Sequence, residues 1–210
     1  MSLEVHTFIN GRWKQNCYIA VLDSDALIID PGSQANELIA LIDRNRWQVV
    51  AIVNTHGHFD HIGAVAALKD RHQAPFYLHS ADARLVERGN LFRMVFESHE
   101  PIRIPTIDHD VAEMPNPFVL GPFQISWLST PGHTQGSVCL QVENFLFSGD
   151  TLMRDAIGRT DLPGGNREQL LASIRKLKSL PGDTVVCGGH GPRTTIAAEF
   201  ASGSRVLSLV

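Results

Sequence analysis

Three histidines and one aspartate crowd the segment 55–61, which reads THGHFDH. The segment follows the apolar run VVAIVN and opens a helical pattern. Side chains two positions apart in an extended or looped segment project to the same side, so His56 and His58 can converge on one ion. Asp60 and His61, at the entrance of the helix, can turn toward a neighbouring ion. Because Zn²⁺ takes imidazole nitrogens and carboxylate oxygens at about 2.0–2.2 Å, the segment predicts a metal site.

Further candidate ligands come just after apolar strands, beside glycine. They are His133 after FQISWLSTPG, Asp150 after NFLFSG and His190 after TVVCGG. Glycine allows the backbone to approach an ion closely, and sites in α/β folds collect at the carboxyl ends of strands. Seven ligands suit two ions that share one carboxylate. The predicted set is His56, His58, Asp60, His61, His133, Asp150 and His190.

The other residues of this kind lack such a setting. Asp30 closes the strand LIIDPG, and it has two interpretations: a carboxylate that orients a ligand imidazole, or a residue that shapes the turn before Pro31. We expect His79, at the end of YLH, to support the site or the core. The chain has ten histidines, of which five are expected to be structural, namely His6, His72, His79, His99 and His109.

Composition and charge exclude several classes of function. A length of 210 residues predicts one domain, residues 1–210. The net charge of −4 leaves no basic surplus for a phosphate backbone, so nucleic-acid binding is not expected. The apolar runs are far shorter than the ~20 residues of a membrane span, and MSLEVHTFING has no secretory core. Three widely spaced cysteines, Cys17, Cys139 and Cys187, predict buried thiols in a reducing, cytoplasmic setting.

The elements that must position the site alternate between strands and helices. WKQNCYIAVLD and ALIIDPG predict strands, residues 33–46 a helix, and VVAIVN a buried strand. HIGAVAALKDRH predicts a helix and APFYLH a short strand. Ser80 is expected to cap a helix over about 81–97. Within it, LFRMVFE favours packing against a sheet, with a lid over a substrate pocket as the alternative.

The second half repeats this order. The proline-interrupted stretch 98–122 predicts only short extended pieces. FQISWLST predicts a strand, and SVCLQV and NFLFSGD a hairpin around Glu143 and Asn144. Asn166 and Gln169 resemble a capping pair for the next helix, and TVVCGG predicts a strand before a last helix near Thr194. Two mixed sheets with helices outside would satisfy this order, in an α/β fold.

The motifs together resemble the metallo-β-lactamase fold superfamily. The resemblance rests on THGHFDH, STPGHTQGS, FSGDTL and GGHGP, in that order along nearly the whole chain. It implies a four-layer αββα sandwich with metals at the edge between the two sheets. Within the superfamily, IGRTDLPGG followed by GGHGPRTT most resembles short type II glyoxalases, which hydrolyse glutathione thioesters. The tail EFASGSRVLSLV does not resemble the glutathione-binding helix of two-domain glyoxalases.

The resemblance also implies roles for individual residues. Asp150 would bridge the two ions. Arg159, in IGRTD, stands where the resemblance places a cation that grips a glutathione carboxylate, a task that suits its planar fork. A clamp between Arg159 and Asp161 is the alternative. The implied ligand sets are His56, His58 and His133 for one ion, and Asp60, His61 and His190 for the other.

These roles make up a hypothesis of thioester hydrolysis. Two divalent ions, Zn²⁺ first with Fe or Mn as options, would hold a hydroxide that attacks the carbonyl of S-lactoylglutathione or a related acyl thioester. Asp60 and Asp150 are the candidate catalytic carboxylates. The alternative is a persulfide dioxygenase, which the resemblance would build on one Fe(II) held by His56, His133 and Asp150. LPGG after GRTD and GHGP near the end favour the hydrolase.

Overall fold

The computed structural model describes residues 2–97 and 100–209, and its strands form two six-stranded sheets and a two-stranded ribbon. The first sheet contains β1 (Glu4–Asn10), β2 (Gln15–Leu22), β3 (Asp25–Ile29), β4 (Gln48–Val53), β5 (Phe76–Leu78) and β6 (His109–Asp110), side by side in that order. The second sheet contains β7 (Phe118–Leu120), β8 (Phe123–Ser129), β9 (Val138–Val142), β10 (Phe145–Gly149), β13 (Val185–Gly188) and β14 (Thr194–Thr195). The ribbon pairs β11 (Leu152–Met153) with β12 (Ala156–Ile157).

In the part of the chain that the structure describes, seven α-helices connect or cover these strands. They are α1 (Ala35–Asn45), α2 (Phe59–Ile62), α3 (Val65–His72), α4 (Ala83–Glu87), α5 (Gly89–Phe96), α6 (Arg167–Leu177) and α7 (Ile196–Glu199). Among the described residues, no helix has the length and apolar character that a bilayer-spanning segment requires.

Each sheet is part antiparallel and part parallel. In the first sheet β1, β2 and β3 are antiparallel neighbours, whereas β3 to β6 run parallel. In the second sheet β7 to β10 are antiparallel, and β10 pairs in parallel with β13. Parallel neighbours need crossover connections, which α1, α2 with α3, and α6 provide. The carboxyl ends of β4, β10 and β13 therefore carry the segments that follow them to the site.

Alternating burial along the strands builds the layers. On β2, Ile19 packs in a core with α1 and α3, while Tyr18 and Ala20 pack in the core between the two sheets. On β10, Leu146 packs with α6 whereas Phe147 faces the core between the sheets. A strand covered on both faces reads as a continuous apolar run. The order helices, sheet, sheet, helices confirms the expected αββα sandwich.

The hairpin and the capping pair are also as predicted. β9 and β10 are antiparallel and turn at Glu143, which has a φ of +49°. The backbone N–H of Gln169 donates to Oδ1 of Asn166 at the start of α6. Residues 98 and 99 of the stretch 98–122 lie outside the described residues; the described part, 100–122, contains β6, a 3-10 turn at 111–113 and β7, in keeping with short extended pieces.

The helix expected over 81–97 is wrong in two respects. Ser80 does not cap it: a 3-10 turn at 80–82 comes first, capped by His79, whose Nδ1 accepts from the N–H of Ala81 at 3.2 Å, and α4 begins only at Ala83. The helix also breaks between α4 and α5. Asn90, in the first turn of α5, exchanges two hydrogen bonds with the backbone of Ile102 and so ties the second of the two helices to the segment that follows it.

Candidate metal centre

The end of β4 delivers the first four candidate ligands. Asn54 anchors the segment that follows, because its Nδ2 donates to the carbonyl of His61 at 3.0 Å. His58 is extended (φ −69°, ψ 148°) immediately before α2. Asp60 and His61 then lie in α2 itself. Because the backbone changes from strand to helix within six residues, His56 and His58 face one position while Asp60 and His61 face another.

The second sheet delivers the other three. His133 follows β8, Asp150 follows β10 and His190 follows β13. Glycine is required beside them: Gly149 has a φ of +48°, and a Cβ on Gly189 would collide with Asp150 and His61. The expectation that glycine permits close approach is therefore met at this edge of the two sheets.

The three-histidine group consists of His56, His58 and His133. One ring nitrogen from each lies within 4.8 Å of the others, and Nε2 of His133 is 2.9 Å from Nδ1 of His58. All three side chains are buried. Burial, reinforced by His133, lowers the pKa of His58 to about 3, and burial with His61 lowers the pKa of His56 well below its usual value. Neutral imidazoles present lone pairs, which is the form a metal ion requires.

The aspartate–histidine group consists of Asp60, His61 and His190, whose ligand atoms also lie within 4.8 Å of one another. Oδ2 of Asp60 is 3.5 Å from Nε2 of His190 and 3.9 Å from Nε2 of His61. Burial by itself lowers the pKa of His61, but the charges of Asp60 and Asp30 outweigh it and raise that pKa to about 9. The pKa of Asp60 is held far below its usual value, because His61 and His190 outweigh the effect of burial.

Asp150 lies between the two groups. Its Oδ2 is 3.5 Å from Nε2 of His133 and 3.6 Å from Nε2 of His190, and its Oδ1 is 3.7 Å from Nε2 of His61. These separations are long for hydrogen bonds. They match ligand atoms that share an ion, since two atoms each ~2.0–2.2 Å from a tetrahedral ion lie about 3.4 Å apart.

Unpartnered buried atoms give a second test of fit. Within the described residues, Nε2 of His56, Nε2 of His61 and Oδ1 of Asp150 are buried with no hydrogen-bond partner. Buried polar atoms are nearly always satisfied, so each exception calls for an explanation. All three face the space between the candidate ligands, and an ion there would satisfy them. The donor set of imidazole and carboxylate fits Zn²⁺ as well as Fe or Mn.

Four of the imidazoles are fixed through Nδ1, which leaves Nε2 for the ion. Nδ1 of His133 donates to the carbonyl of Arg159 at 2.8 Å, and Nδ1 of His190 to the carbonyl of Trp13 at 3.0 Å. Nδ1 of His56 lies 3.0 Å from Oγ1 of Thr55, and Nδ1 of His61 lies 3.0 Å from Oδ2 of Asp30. Partners of this kind set the tautomer and the orientation of a ligand histidine.

Asp30 has both of the roles considered from the sequence: it shapes a turn, and its carboxylate orients an imidazole of the site. It has a φ of +50° at the turn before Pro31, and its buried carboxylate accepts from the N–H and the hydroxyl of Thr55 at 2.7 and 2.6 Å. Through Thr55 it reaches His56, and directly it holds His61. The carboxylate of Asp30 thus holds the aspartate–histidine group directly and the three-histidine group through Thr55.

Sequence reasoning missed Asp82, which is fully buried. Its carboxylate accepts from the N–H of Gly57 at 2.9 Å, from the hydroxyl of Thr134 at 2.7 Å and from the N–H of Gly136 at 2.7 Å. It therefore ties the loop of His56 and His58 to the loop of His133. The only signal in the sequence was a glycine in each loop: a Cβ on Gly136 would clash with Asp82.

The remaining histidines lie elsewhere. His6 packs on Trp47, and His109 stacks on Tyr77. His79 caps the turn that carries Asp82 and so supports the site from a distance. His99 lies outside the described residues. The cysteines are unpaired and buried, and burial raises the pKa of Cys139 to about 11 and of Cys187 to about 12, so neither is prepared as a nucleophile.

A cavity of about 300 Å³ opens over the two groups. Arg159 lines it, but its guanidinium makes a bidentate pair with Asp161 at 2.8 and 2.7 Å, so the clamp is present in this structure. Phe92 and Phe96 of α5 pack on the core that the first sheet shares with α1 and α3, as favoured from the sequence. The same two rings line the cavity.

The comparison with known proteins agrees with this geometry. The family model described as metallo-beta-lactamase superfamily matches residues 10–190. The chain belongs to the metallo-beta-lactamase superfamily. As a member of this superfamily of metallo-hydrolases, it places histidine and aspartate clusters where metal ions can bind.

Individual relatives of the superfamily are similar over nearly their whole length. The probable metallo-hydrolase YqgX of Bacillus subtilis is 39% identical over 90% of each chain. The hydroxyacylglutathione hydrolase GloC of Haemophilus influenzae is 34% identical over 90% of this chain and 92% of its own. Among solved structures, BLEG-1 B3 metallo-beta-lactamase has a TM-score of 0.91 at 38% identity, covering 98% of this chain and 100% of its own. TTHA1623 in a di-iron-bound form has a TM-score of 0.85 at 35% identity, covering 97% and 100%.

Proposed function

We propose that the protein is a thioester hydrolase of the glyoxalase II type that works with two divalent metal ions. The observation that carries the proposal is the position of Asp150, whose two oxygens lie 3.5 to 3.7 Å from ring nitrogens of both groups. A carboxylate so placed can be shared by two ions. The similarity to GloC, a hydroxyacylglutathione hydrolase by name, supports glutathione thioesters as the substrate class, S-lactoylglutathione among them.

The proposal takes each of the two groups of candidate ligands as the ligand set of one ion. One ion would be held by the three-histidine group and the other by the aspartate–histidine group, with Asp150 common to both. Zn²⁺ is our first choice, and Fe or Mn the alternatives. Two such ions would lower the pKa of a shared water and polarise the substrate carbonyl.

The chain's own residues then orient the reaction. Neighbouring histidines outweigh burial and keep the pKa values of Asp60 and Asp150 below their usual range, so both remain ionised at neutral pH. Both carboxylates line the cavity, where they position the attacking water as the proposed catalytic pair. That water adds to the thioester carbonyl, the carbon–sulfur bond breaks, and the thiol leaves. The exposed pair of Arg159 with Asp161 is weak in water, so Arg159 can exchange Asp161 for a substrate carboxylate.

The proposal extends to the setting of the protein. Residues 1–210 would act as one domain on a small-molecule thioester. Nucleic acid and membrane are not among the proposed partners. The three unpaired thiols fit a reducing compartment, and we propose the cytoplasm.

Metal analysis read beside thiol release from S-lactoylglutathione tests the proposal. We expect two metal equivalents per chain and prompt thiol release. The variant His58→Ala should lose both metal and activity, while the control His6→Ala, which removes a histidine far from the centre, should keep both. One iron per chain with oxygen uptake on glutathione persulfide would instead support the dioxygenase.

A second candidate is β-lactam hydrolysis, which the similarity to BLEG-1 favours. Both reactions begin with attack of water on a carbonyl carbon, so the same centre could serve either. A chromogenic cephalosporin assayed beside S-lactoylglutathione separates them, because the ratio of the two kcat/KM values shows which substrate the cavity prefers.

A further inference from the structure

We propose that the thioesters this site favours carry an extended apolar acyl group, which lies against an aromatic wall formed by Trp13, Phe59, Phe92 and Phe96. The inference rests on the proposed thioester hydrolysis and adds the class of acyl group. It starts from the lining of the cavity over the two metal-ligand groups.

The composition of that lining is uneven. Five of its thirteen residues are candidate ligands, one is Arg159, and the other seven are apolar. The aromatic wall supplies four of the seven, from three separate segments of the chain. Met153, Leu162 and Pro163 supply the rest. Apart from the ligands, the cavity therefore offers one polar side chain within the described residues, whereas most pockets for polar ligands carry several placed polar groups.

The wall begins beside the candidate ligands, and its three segments come together at α5. Phe59 stands between His58 and Asp60 in the chain. Phe92 and Phe96, four residues apart, share one face of α5, and they pack on the same core as Phe59. Trp13 lies in the turn after β1, which Arg12 ties to the end of α5 by a hydrogen bond to the carbonyl of Glu97 at 3.4 Å.

Trp13 also contacts the centre through its backbone, because its carbonyl accepts from His190. An acyl chain that lies on the wall therefore has the carbonyl carbon of its thioester beside the two ligand groups. The single cation of the lining, Arg159, is half exposed and suits the carboxylate of the thiol portion. This division assigns the acyl group to the wall and the thiol portion to the Arg159 side.

The size of the acyl group follows from the same surface. A lactoyl group is short and carries a hydroxyl, so it would cover little of four aromatic rings. A longer apolar chain would remove ring surface and its own methylenes from water. The gain corresponds to about fourfold in kcat/KM for each methylene buried, until the cavity of about 300 Å³ is filled.

The test on the unaltered enzyme is a series of glutathione thioesters with acetyl, butyryl, hexanoyl and octanoyl groups, compared with S-lactoylglutathione. We expect kcat/KM to rise about fourfold per methylene from acetyl to at least hexanoyl. A flat or falling series with S-lactoylglutathione fastest would overturn the inference and leave the thioesterase proposal standing. No thiol release from any member would overturn the proposed function itself.

Exchange of the thiol portion tests which part of the substrate meets the wall. The same acyl series is measured on N-acetylcysteamine, which lacks the glutathione carboxylates. A preserved dependence on acyl length supports the assignment of the acyl group to the wall. Loss of the length dependence would overturn that assignment.

Variants of the wall give an independent measurement. Trp13→Ala should lower kcat/KM for hexanoyl-glutathione about tenfold more than it lowers kcat/KM for acetyl-glutathione. Trp13 is 44% exposed in a turn, so its removal leaves the cores intact. The matched control is Val95→Ala, on the solvent face of α5 at 64% exposure, which should change neither. Equal losses on both substrates in Trp13→Ala would contradict a role in acyl selection.

Discussion

The two groups of candidate ligands each combine two residues that follow β4 with one histidine from the second sheet, yet their electrostatics differ. In the three-histidine group all members are buried, and the pKa values of His56 and His58 are lowered. The aspartate–histidine group contains a carboxylate of its own, and the pKa values of His61 and His190 are raised. His56 and His58 are neutral and can bind an ion as they stand, whereas His61 holds a proton at neutral pH that an ion must displace.

The cause is the placement of carboxylates around His61. Asp60 lies 3.9 Å from its Nε2, Asp150 lies 3.7 Å from the same atom, and Asp30 holds its Nδ1 at 3.0 Å. Three acidic groups around one imidazole favour a positive charge at that point. A metal ion supplies the same charge more effectively than a proton, which is how a group with raised pKa values can still be a metal site.

The largest predicted effect comes from breaking the link between the groups. Asp150→Asn removes a charge and an anionic ligand atom while keeping the size of the side chain. We expect kcat/KM to fall by more than about 100-fold, since even residues that only support ligands cost about 10–100-fold. Metal content after dialysis and thiol release are measured together. A variant with both metals and full hydrolysis would show that Asp150 is not shared.

The pH dependence of metal affinity sharpens the comparison. In the metal-free protein His61 is protonated below its pKa of about 9, so binding at the aspartate–histidine group releases a proton there. Its affinity should rise about tenfold per pH unit, or about 100-fold from pH 6 to 8. With its pKa of about 3, His58 stays neutral from pH 6 to 8, so the affinity of the three-histidine group should depend less on pH. Competition with a chromophoric chelator at pH 6, 7 and 8 measures both slopes, and equal slopes would refute the distinction.

Asp30→Asn should weaken the aspartate–histidine group by about 10–100-fold in metal affinity. An amide at this position cannot accept as a carboxylate does from Thr55 and from Nδ1 of His61. Asp23→Asn is the matched control, since Asp23 is exposed at a φ of +57°, a conformation that asparagine tolerates. Two-site metal titrations of both variants give the affinities. A loss confined to the three-histidine group would reverse the assignment.

Asp82→Asn should act on the other group, with about a tenfold loss of affinity at the three-histidine group. Asp82 joins Gly57 to Thr134 and Gly136, and an amide cannot accept all three hydrogen bonds equally well. Asp155→Asn, an exposed aspartate away from the site, is the control. Thermal unfolding of the metal-free forms separates a general loss of stability from a loss at the site. If affinity stays at the wild-type value, Asp82 does not position these ligands.

The smallest predicted effect concerns the edge of the cavity, outside both groups. Arg159→Ala should raise KM for glutathione thioesters about fivefold and leave KM for a small uncharged thioester unchanged, because only glutathione offers a carboxylate. Metal content should stay at the wild-type level, since His133 contacts the backbone carbonyl of Arg159, which the substitution keeps. An equal rise for both thioesters would make Arg159 structural.

The sequence was sufficient to predict the layers and to single out the seven candidate ligands that the fold brings together. All seven predicted ligands meet at one edge because each follows a strand or opens a helix, and strand ends in one layer lie together. The supports were harder to predict, because the hydrogen bonds of Asp82 and of the Trp13 carbonyl join segments that are far apart in the chain. The hydrogen bonds that tie α5 to the following segment likewise depend on Asn90 meeting Ile102, twelve residues away. Local sequence patterns indicate which helix or strand a residue belongs to, but not which distant residues it contacts.

The most direct test of the account is an anomalous difference map from crystals grown with zinc. The account predicts two peaks with Asp150 between them. One should lie within bonding distance of the three-histidine group and the other within bonding distance of the aspartate–histidine group. A single peak held by His56, His133 and Asp150, with His61 and His190 unbound, would contradict it.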